Sequence, residues 1–286
     1  MKHRITIISL FLFLSTVTKS QDIDSYKKTT VFFYSADTSG SVVPIGTGFF
    51  VTRWCKNSSS LPNFIATAKH VIQDDKGNFK KEVYIRINTS DSNSRLVYAR
   101  LDTSKVNGNV ILNKSKEVDL VLIAFAPTKT DYKTLSVPQS QILNKTDFIA
   151  SNFKEGDDVF FTGLFSHFTG NSMIYPIFRF GHIALVPKEK IMWVMGLTDL
   201  ILVEVSSYGG NSGSPVFFKK LGNNGQEFIY LGGVLSGTYR DISEVKVITT
   251  KNTPVVPYNN GITGVVPSYF INEMFYYPEL ISRFGE

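Results

Sequence analysis

The sequence predicts an all-β protein, a sandwich or a barrel, and two observations support this fold class. Short runs rich in β-branched and aromatic residues recur along the chain with Gly, Asn, Asp or Pro between them, and helical periodicity is nearly absent before residue 267. Twelve such runs occur, and a polar, Pro-containing stretch over residues 126–156 separates six from six. The pattern therefore predicts two β halves joined by a connector.

Each predicted strand is a run in which Val, Ile, Leu, Phe, Tyr or Thr dominates. In chain order the runs cover residues 29–36, 42–52, 63–68, 81–88, 95–101, 117–125, 157–165, 173–186, 199–205, 213–220, 226–237 and 261–266. A single helical pattern follows Pro267, where Phe270, Met274 and Phe275 can share one face, so we expect a short C-terminal helix. The predicted halves are residues 21–135 and 136–286.

Residues 1–20 have the pattern of a secretory signal peptide. Lys2, His3 and Arg4 precede a thirteen-residue apolar run, and small residues precede a predicted cut after Ser20. The run is short for a membrane span, which needs about twenty residues. We therefore expect a secreted or periplasmic protein with no membrane association after signal removal.

Composition and charge narrow the partners. A hydrophobic fraction of 43% with 19% charged residues is ordinary for a globular protein. The formal net charge of +6 falls to +3 without the signal, and no dense Lys/Arg patch is present, so we expect no nucleic-acid partner. The lone Cys55 cannot form an internal disulfide, which favours a bacterial type of exported protein. No cofactor or metal motif stands out, and we expect a monomer.

The stretch "YGGNSGSPVFF", residues 208–218, is the first candidate for chemistry. Glycines permit positive φ and close backbone approach, so such a turn can expose the Ser212 hydroxyl and direct neighbouring amides to one point. A serine nucleophile with an oxyanion hole requires that arrangement. A Gly/Ser/Asn-rich surface turn before a strand explains the segment equally well. The choice depends on whether the chain also supplies a base and an acid.

His70 is the candidate base. Beyond the signal peptide the histidines are His70, His167 and His182, and all precede Ser212, which excludes the order of the α/β-hydrolases. His70 directly follows an apolar strand run, where a side chain is well positioned. His167 and His182 lack a matching context, and we interpret both as structural.

Asp119 is the candidate acid that orients the histidine ring. It opens a fully apolar run, where a carboxylate is costly to bury unless it is paired. The alternative is a strand-edge carboxylate that faces water. Asp102 and Asp131 are further acids, but both lie in polar, turn-like surroundings.

Three segments together resemble a known family. "TAKHV", "DLVLIAF" and "GNSGSPVF", whose key residues are 49 and 93 positions apart, resemble the chymotrypsin-like serine peptidases, above all the V8-like glutamyl endopeptidase group. "GTGFFVT" and "GDDVFFTGLF" also resemble the HtrA peptidase domain. The resemblance implies two six-stranded antiparallel β-barrels with the site between them. His70 and Asp119 would come from the first barrel and Ser212 from the second, with the N–H groups of Gly210 and Ser212 as the oxyanion hole.

The resemblance also implies a substrate pocket beside the nucleophile. Its predicted lining is Ser206, Ser207, Tyr208, Leu235, Ser236 and Gly237. None of these residues is acidic, which disfavours a preference for Lys or Arg. Leu235 stands where the V8-like group has a histidine that reads glutamate, so the resemblance does not extend to glutamate specificity.

These observations give one leading function and two alternatives. The leading function is a secreted serine endopeptidase that acts on polypeptide substrates through Ser212, His70 and Asp119. The first alternative is a catalytically silent chymotrypsin-like fold used as a protein-binding module. The second is a secreted all-β adhesion or carbohydrate-binding domain, in which the three motifs would be coincidental.

Overall fold

The fold is seen in a computed structural model, which describes residues 23–55, 62–105, 107–125, 131–222, 225–244 and 255–285. The predicted signal peptide, residues 1–20, lies outside these ranges. Among the described residues, no helix is both long enough and apolar enough to span a bilayer. The chain forms two β halves, and the all-β prediction is confirmed.

The N-terminal half is a curled antiparallel sheet. Its strands are β1 Thr30–Ala36, β2 Val42–Thr52, β3 Asn63–Thr67, β4 Glu82–Asn88, β5 Ser94–Arg100, β6 Val110–Leu112, β7 Val121–Ala124 and β8 Val137–Pro138. The order is β5-β4-β1-β2-β3-β7-β6, and β8 pairs with β2 in parallel. The N–H of Val110 donates to the C=O of Asp102 at 2.9 Å, so the two edges meet at one end and the sheet is a half-barrel.

The C-terminal half is a closed barrel of six strands in the order β10-β13-β16-β15-β14-β9, with β11 and β12 as a separate two-stranded sheet. The strands are β9 Asp158–Gly163, β10 Ile177–Leu185, β11 Ile191–Trp193, β12 Gly196–Thr198, β13 Ile201–Glu204, β14 Pro215–Leu221, β15 Glu227–Glu244 and β16 Val255–Pro267. Side chains alternate across each strand. Phe161 and Phe218 therefore belong to one core cluster, and their neighbours Phe160 and Phe217 belong to another.

The two ends of the chain cross over and hold the halves together. A 3₁₀ helix at Ile23–Thr29 places the ring of Tyr26 4.4 Å from that of Phe217 in the barrel. The connector carries a short helix, α1 Lys145–Ala150, and two more helices, α2 Tyr269–Phe275 and α3 Pro278–Phe284, end the chain. The ring of Phe275 lies 5.7 Å from that of Phe64 in β3. Each terminus thus packs on the other half.

Every predicted strand overlaps an observed one, and the C-terminal half is the six-stranded barrel that the resemblance implies. The N-terminal half differs, because it is an eight-stranded half-barrel rather than a closed six-stranded barrel, and the other differences are in small elements. The strands that the sequence analysis missed, β6, β8, β11 and β12, have two or three residues each, too few for a visible pattern. The C-terminal helix is a pair of helices, and Pro267 ends β16 instead of beginning a helix. Met274 and Phe275 are buried as expected, whereas Phe270 is half-buried.

Candidate active site

His70 lies in a 3₁₀ helix, Lys69–Ile72, that begins two residues after the end of β3. The buried side chain of Val71 anchors this helix in the core of the N-terminal half. Lys69 Nζ donates to the backbone C=O of Lys116 at 2.5 Å, which ties the helix to the segment before β7. The His70 side chain is 39% exposed and therefore accessible to a substrate.

Asp119 is buried beneath His70 and accepts three hydrogen bonds. Its Oδ2 lies 2.7 Å from His70 Nδ1, and its Oδ1 accepts from the backbone N–H of His70 at 3.0 Å. The hydroxyl of Ser236, from the other half of the protein, donates to Oδ2 at 2.5 Å. The carboxylate is 2% exposed, so these donors replace the water that it has lost. The predicted pairing of Asp119 with His70 is thus present in the structure.

The contact shifts the pKa of both partners. Burial alone raises the pKa of the Asp119 carboxyl, but hydrogen bonds from His70 and Ser236 outweigh it and hold the pKa below its ordinary value. Burial alone lowers the pKa of the His70 ring, but the hydrogen bond and charge of Asp119 outweigh it and raise the pKa. The pair therefore favours a carboxylate beside an imidazolium, the state that a histidine base reaches after it takes a proton.

Ser236 joins the acid to the nucleophile. Its hydroxyl donates to Asp119 and accepts from Trp193 Nε1 at 2.9 Å. Its backbone C=O accepts from Ser212 Oγ at 3.2 Å. Trp193 is buried, and a Cβ on Gly264 would come within 2.5 Å of its ring, so the tryptophan fits closely against β16. Ser236 is one of the predicted pocket residues, whereas Trp193 lies in none of the sequence motifs.

The glycines around Ser212 are required by backbone geometry. The N–H of Asn211 donates to the C=O of Tyr208 at 3.0 Å and Gly210 has φ +92°, which together indicate a type II turn. Gly213 has φ +86°, and a Cβ there would come within 2.0 Å of the C=O of Thr47. Positive φ and close approach both exclude larger residues at these two positions.

Thr47 on β2 docks this turn onto the N-terminal half. Its N–H donates to the C=O of Ser212 at 2.9 Å, and its hydroxyl donates to the C=O of Gly210 at 2.7 Å. The same hydroxyl accepts from the N–H of Leu164 at 3.0 Å. One residue of the first half therefore holds the backbone on both sides of Asn211.

Gly46 on β2 lies between Ser212 and Val71, the residue after His70. A Cβ on Gly46 would lie 2.6 Å from the side chain of Val71 and 3.3 Å from the C=O of Ser212. Ser212 and Val71 therefore both lie against Gly46. The structure thus brings all three predicted residues to one place, two from the first half and one from the second.

The amides of Gly210 and Ser212 are available to a ligand. The N–H groups of Asn211, Gly213 and Ser214 each donate to a backbone C=O. Within the part of the chain that the structure describes, the N–H groups of Gly210 and Ser212 have no such acceptor. Those two are the donors predicted for the oxyanion hole, and they flank the side chain of Asn211, whose Nδ2 donates to the C=O of Leu164 at 2.6 Å.

Ser212 and His70 both belong to the described part of the chain. The Ser212 Oγ forms no hydrogen bond with the His70 ring there. The hydroxyl donates to Ser236 instead, so it must turn about its side-chain bond to reach the histidine. Hydrogen bonds of this kind are often long or poorly aligned before a substrate binds.

The six predicted pocket residues divide among several environments. Leu235 is buried in the barrel core, and Ser207 is buried with its hydroxyl 2.8 Å from that of Thr263. Tyr208 is exposed and lies over Arg179. The remaining positions are exposed Ser206, half-buried Gly237 and buried Ser236. Leu235 therefore contributes packing to the barrel rather than a surface to the substrate.

The other candidate acids and bases lie in ordinary surroundings. His182 is exposed, with Nδ1 3.2 Å from a carboxylate oxygen of Asp158. Asp131 pairs with Arg95 at 2.6 Å, and Asp102 caps a turn. In the described ranges, no group of three or more His, Cys, Asp or Glu side chains is arranged to hold a metal ion.

No protein-family model and no curated protein sequence matches this chain. Among solved structures, it is similar to the MamO protease domain from Magnetospirillum magneticum in its apo form, with 14% identity and a TM-score of 0.50 over 87% of this chain and 96% of that one. It is also similar to the Rv3671c protease in an inactive form, with 16% identity and a TM-score of 0.48 over 88% and 90%. It is also similar to an inactive-form mutant of Rv3671c from M. tuberculosis H37Rv, with 14% identity and a TM-score of 0.46 over 88% of each chain. The chain therefore has the chymotrypsin-like protease fold.

Proposed function

We propose that the protein is a serine endopeptidase that hydrolyses peptide bonds through an acyl-enzyme on Ser212. One observation carries the proposal: Asp119 binds His70 Nδ1 and the Ser236 hydroxyl, and the backbone C=O of Ser236 accepts from Ser212 Oγ, beside the amides of Gly210 and Ser212, which lack an acceptor in the described structure. Since the parts come from segments far apart in the chain, the fold itself assembles the chemistry.

In the first step Ser212 Oγ turns from the C=O of Ser236 and attacks the carbonyl carbon of the scissile bond. His70 Nε2 takes the hydroxyl proton, while Nδ1 stays bonded to Asp119. His70 then gives that proton to the leaving amine, which departs and leaves an acyl ester on Ser212. Water attacks the ester by the same two proton transfers and releases the acid.

The turn supplies the electrostatic part of the catalysis. The carbonyl oxygen of the substrate becomes negative in the tetrahedral intermediate, and the N–H groups of Gly210 and Ser212 would donate to it. Such donors are fixed before the reaction, so no reorganisation is needed as charge develops. Removal of one typically costs about 3 kcal/mol of transition-state stabilisation.

An open strand edge beside Ser212 suits an extended polypeptide. β14 pairs with β15 as far as Val234, and the backbone of Leu235 bonds to Gly213 and Ser214. Beyond Leu235, β15 pairs with β16 alone. The backbone of Ser236 lies on this free edge and faces Ser212. A substrate that adds to the edge as a further strand would present its carbonyl to the nucleophile. This favours an endopeptidase acting on unfolded or flexible chains.

The cellular setting is part of the same proposal. The predicted signal peptide supports a secreted or periplasmic enzyme. The motifs around His70 and Ser212 support a place near the V8-like group, with HtrA peptidase domains as the second resemblance.

The test is hydrolysis of a peptide library by residues 21–286, compared with Ser212→Ala. We expect the variant to lose at least about a thousandfold in kcat/KM while its Tm stays unchanged. Ser214→Ala is the matched control because it removes a buried hydroxyl two residues away that has no partner in the described structure. Substantial turnover by Ser212→Ala would reassign the nucleophile.

A second candidate is the catalytically silent module that binds a polypeptide without cutting it. The bond from Ser212 Oγ to the C=O of Ser236, away from His70, is the observation that favours it. In that case wild type and Ser212→Ala would bind peptides alike, and neither would cleave them. Any cleavage that depends on Ser212 excludes this candidate.

A further inference from the structure

A cavity of about 430 Å³ opens beside the nucleophile turn. The loop after β9 supplies Phe165 and His167, β10 supplies Arg179, and the turn supplies Tyr208 and Gly209. The cavity thus begins one residue before Gly210, whose amide is a predicted oxyanion donor. It has no place in the acyl-transfer steps described above.

Arg179 gives this cavity its charge. The described part of the chain offers its guanidinium no ion pair, and Nε is buried without a hydrogen-bond partner. The guanidinium lies 4.9 Å from the centre of the Tyr208 ring, a cation–π contact that leaves its planar edge free to donate. A half-buried cation without a carboxylate partner is unfavourable unless something else pairs with it.

The surroundings contain cationic and aromatic groups but no acid. Tyr208 is 61% exposed, so its ring is open to a ligand while it contacts Arg179. The His167 ring lies 5.3 Å from that of Phe165, and as a lining residue it adds a second nitrogen donor. No Asp or Glu is among the lining residues. This chemistry suits a carboxylate, since guanidinium and carboxylate pair through two parallel hydrogen bonds.

The position of the cavity assigns it to one side of the cut bond. The β15 edge at Ser236 contacts the Ser212 hydroxyl, whereas Leu164 contacts Gly210, where an added Cβ would lie 2.7 Å from the leucine side chain. If the acyl part of a substrate follows the β15 edge, the leaving part must pass Leu164 towards the cavity. An extended chain rises about 3.3 Å per residue, so the cavity is within reach of the first two residues after the cut.

We propose that Arg179, Tyr208 and His167 form a subsite that binds a carboxylate within two residues on the leaving side of the scissile bond. Arg179 pairs with the carboxylate, and Tyr208 holds the guanidinium in place. The carboxylate is either an Asp or Glu side chain or the free C-terminus of a peptide. This inference rests on the proposed function, because it names which substrates the same site prefers.

The experiment measures kcat/KM for matched peptides that differ only after the cut. One arm compares Glu with Gln at the second position, and the other compares a chain that ends there in a carboxylate with its amide. The ratio of acidic to neutral substrate is taken within each variant, so that a general loss of activity cancels. Arg179→Gln is tested beside Arg179→Lys, and Arg100→Gln, at an exposed position on β5, is the charge-matched control.

We expect wild type and Arg100→Gln to prefer the acidic peptide about tenfold, a usual size for a charged hydrogen-bonded contact. Arg179→Gln should bring the ratio close to one, and Arg179→Lys should give an intermediate value. The arm that shows the preference identifies the source of the carboxylate.

Two results would overturn the subsite. The first is a ratio near one in wild type. The proposed function would still stand in that case if a fluorophosphonate, which labels activated serines, modifies Ser212. A preference that survives in Arg179→Gln also removes Arg179 from the account. If no peptide is cleaved and Ser212 is not labelled, the subsite and the peptidase proposal fail together.

Discussion

The two halves of the site differ in how completely their polar groups are paired. On the side of the N-terminal sheet, Asp119 accepts from the Nδ1 and N–H of His70 and from Ser236. On the side of the barrel, the amides of Gly210 and Ser212 lack acceptors in the described structure, and the Ser212 hydroxyl has a single long bond. The acid–base half is complete without a substrate, and the nucleophile half is not.

This difference indicates where each half contributes. A buried carboxylate must be fully paired in the folded protein, because an unpaired one would cost several kcal/mol. Donors that act on the transition state must instead remain free until charge develops. Under the proposed function, the acid–base half adds to both stability and catalysis, whereas the free amides of the turn add to catalysis alone. Variants of each half should separate these effects.

The largest effect is expected from Asp119→Asn, which breaks the complete half. The amide cannot hold the His70 ring in the required tautomer, and its NH2 group would face a donor. We expect kcat to fall about 10⁴-fold, as is usual for loss of this carboxylate in such sites. Steady-state kinetics on a peptide substrate measure it. A loss below about tenfold would show that Asp119 does not orient the base.

Gly210→Ala addresses the incomplete half. A Cβ there would lie 2.7 Å from Leu164, and φ is +92°. The turn must therefore move, which displaces the amides of Gly210 and Ser212. We expect kcat to fall about a hundredfold, with a lower Tm. Gly209→Ala is the matched control for stability, because its Cβ would have no neighbour within 4 Å, and its Tm should equal that of wild type. Wild-type kcat in Gly210→Ala would contradict the oxyanion assignment.

Trp193→Phe tests whether the acid–base half extends beyond Asp119. It removes the N–H that Ser236 Oγ accepts and keeps an aromatic ring in the same space. We expect kcat to fall about fivefold with KM unchanged, the size of one neutral hydrogen bond, and the pH midpoint of kcat/KM to move. Trp54→Phe, at a tryptophan 62% exposed, is the control and should change neither. An unchanged pH midpoint in Trp193→Phe would leave this residue a packing role only.

The smallest effect concerns pH. His70 must be neutral to accept a proton and its pKa is raised, so kcat/KM should rise with pH through a midpoint above about 6.5.

A raised histidine pKa stabilises the fold below about pH 6.5, and this contribution is lost as pH rises through the folded-state pKa. The lowered pKa of Asp119 stabilises the fold above about pH 4 and is lost as pH falls through its folded-state value. Urea unfolding across pH, compared with Asp119→Asn, measures both contributions.

The sequence predicts those parts of this comparison that depend on local patterns. The glycines around Ser212, the position of His70 after a strand and the carboxylate of Asp119 in an apolar run are each visible in a few residues. Their pairing was predicted because a buried carboxylate needs a partner and the chain has few histidines. The strands are also visible locally, because runs rich in Val, Ile and Phe bury their side chains best on a sheet.

What the sequence could not predict depends on contacts between segments that are far apart in the chain. Ser236 bonds to Asp119, 117 positions away, because β15 lies against the end of the N-terminal sheet. Trp193 comes from a three-residue strand with no recognisable pattern, and Thr47 looks like any threonine in a strand. Leu235 was assigned to the pocket by resemblance, but its side chain faces the barrel core. Such contacts are set by register and packing across 100 or more residues.

The most direct test of the account is covalent labelling of purified residues 21–286 with a fluorophosphonate. Mass spectrometry should find one adduct per chain, on Ser212, formed in wild type and absent from His70→Ala. That result requires the serine to be activated by the histidine that the fold places beside it. An adduct on another residue, equal labelling of His70→Ala, or no labelling of the folded wild type would contradict the account.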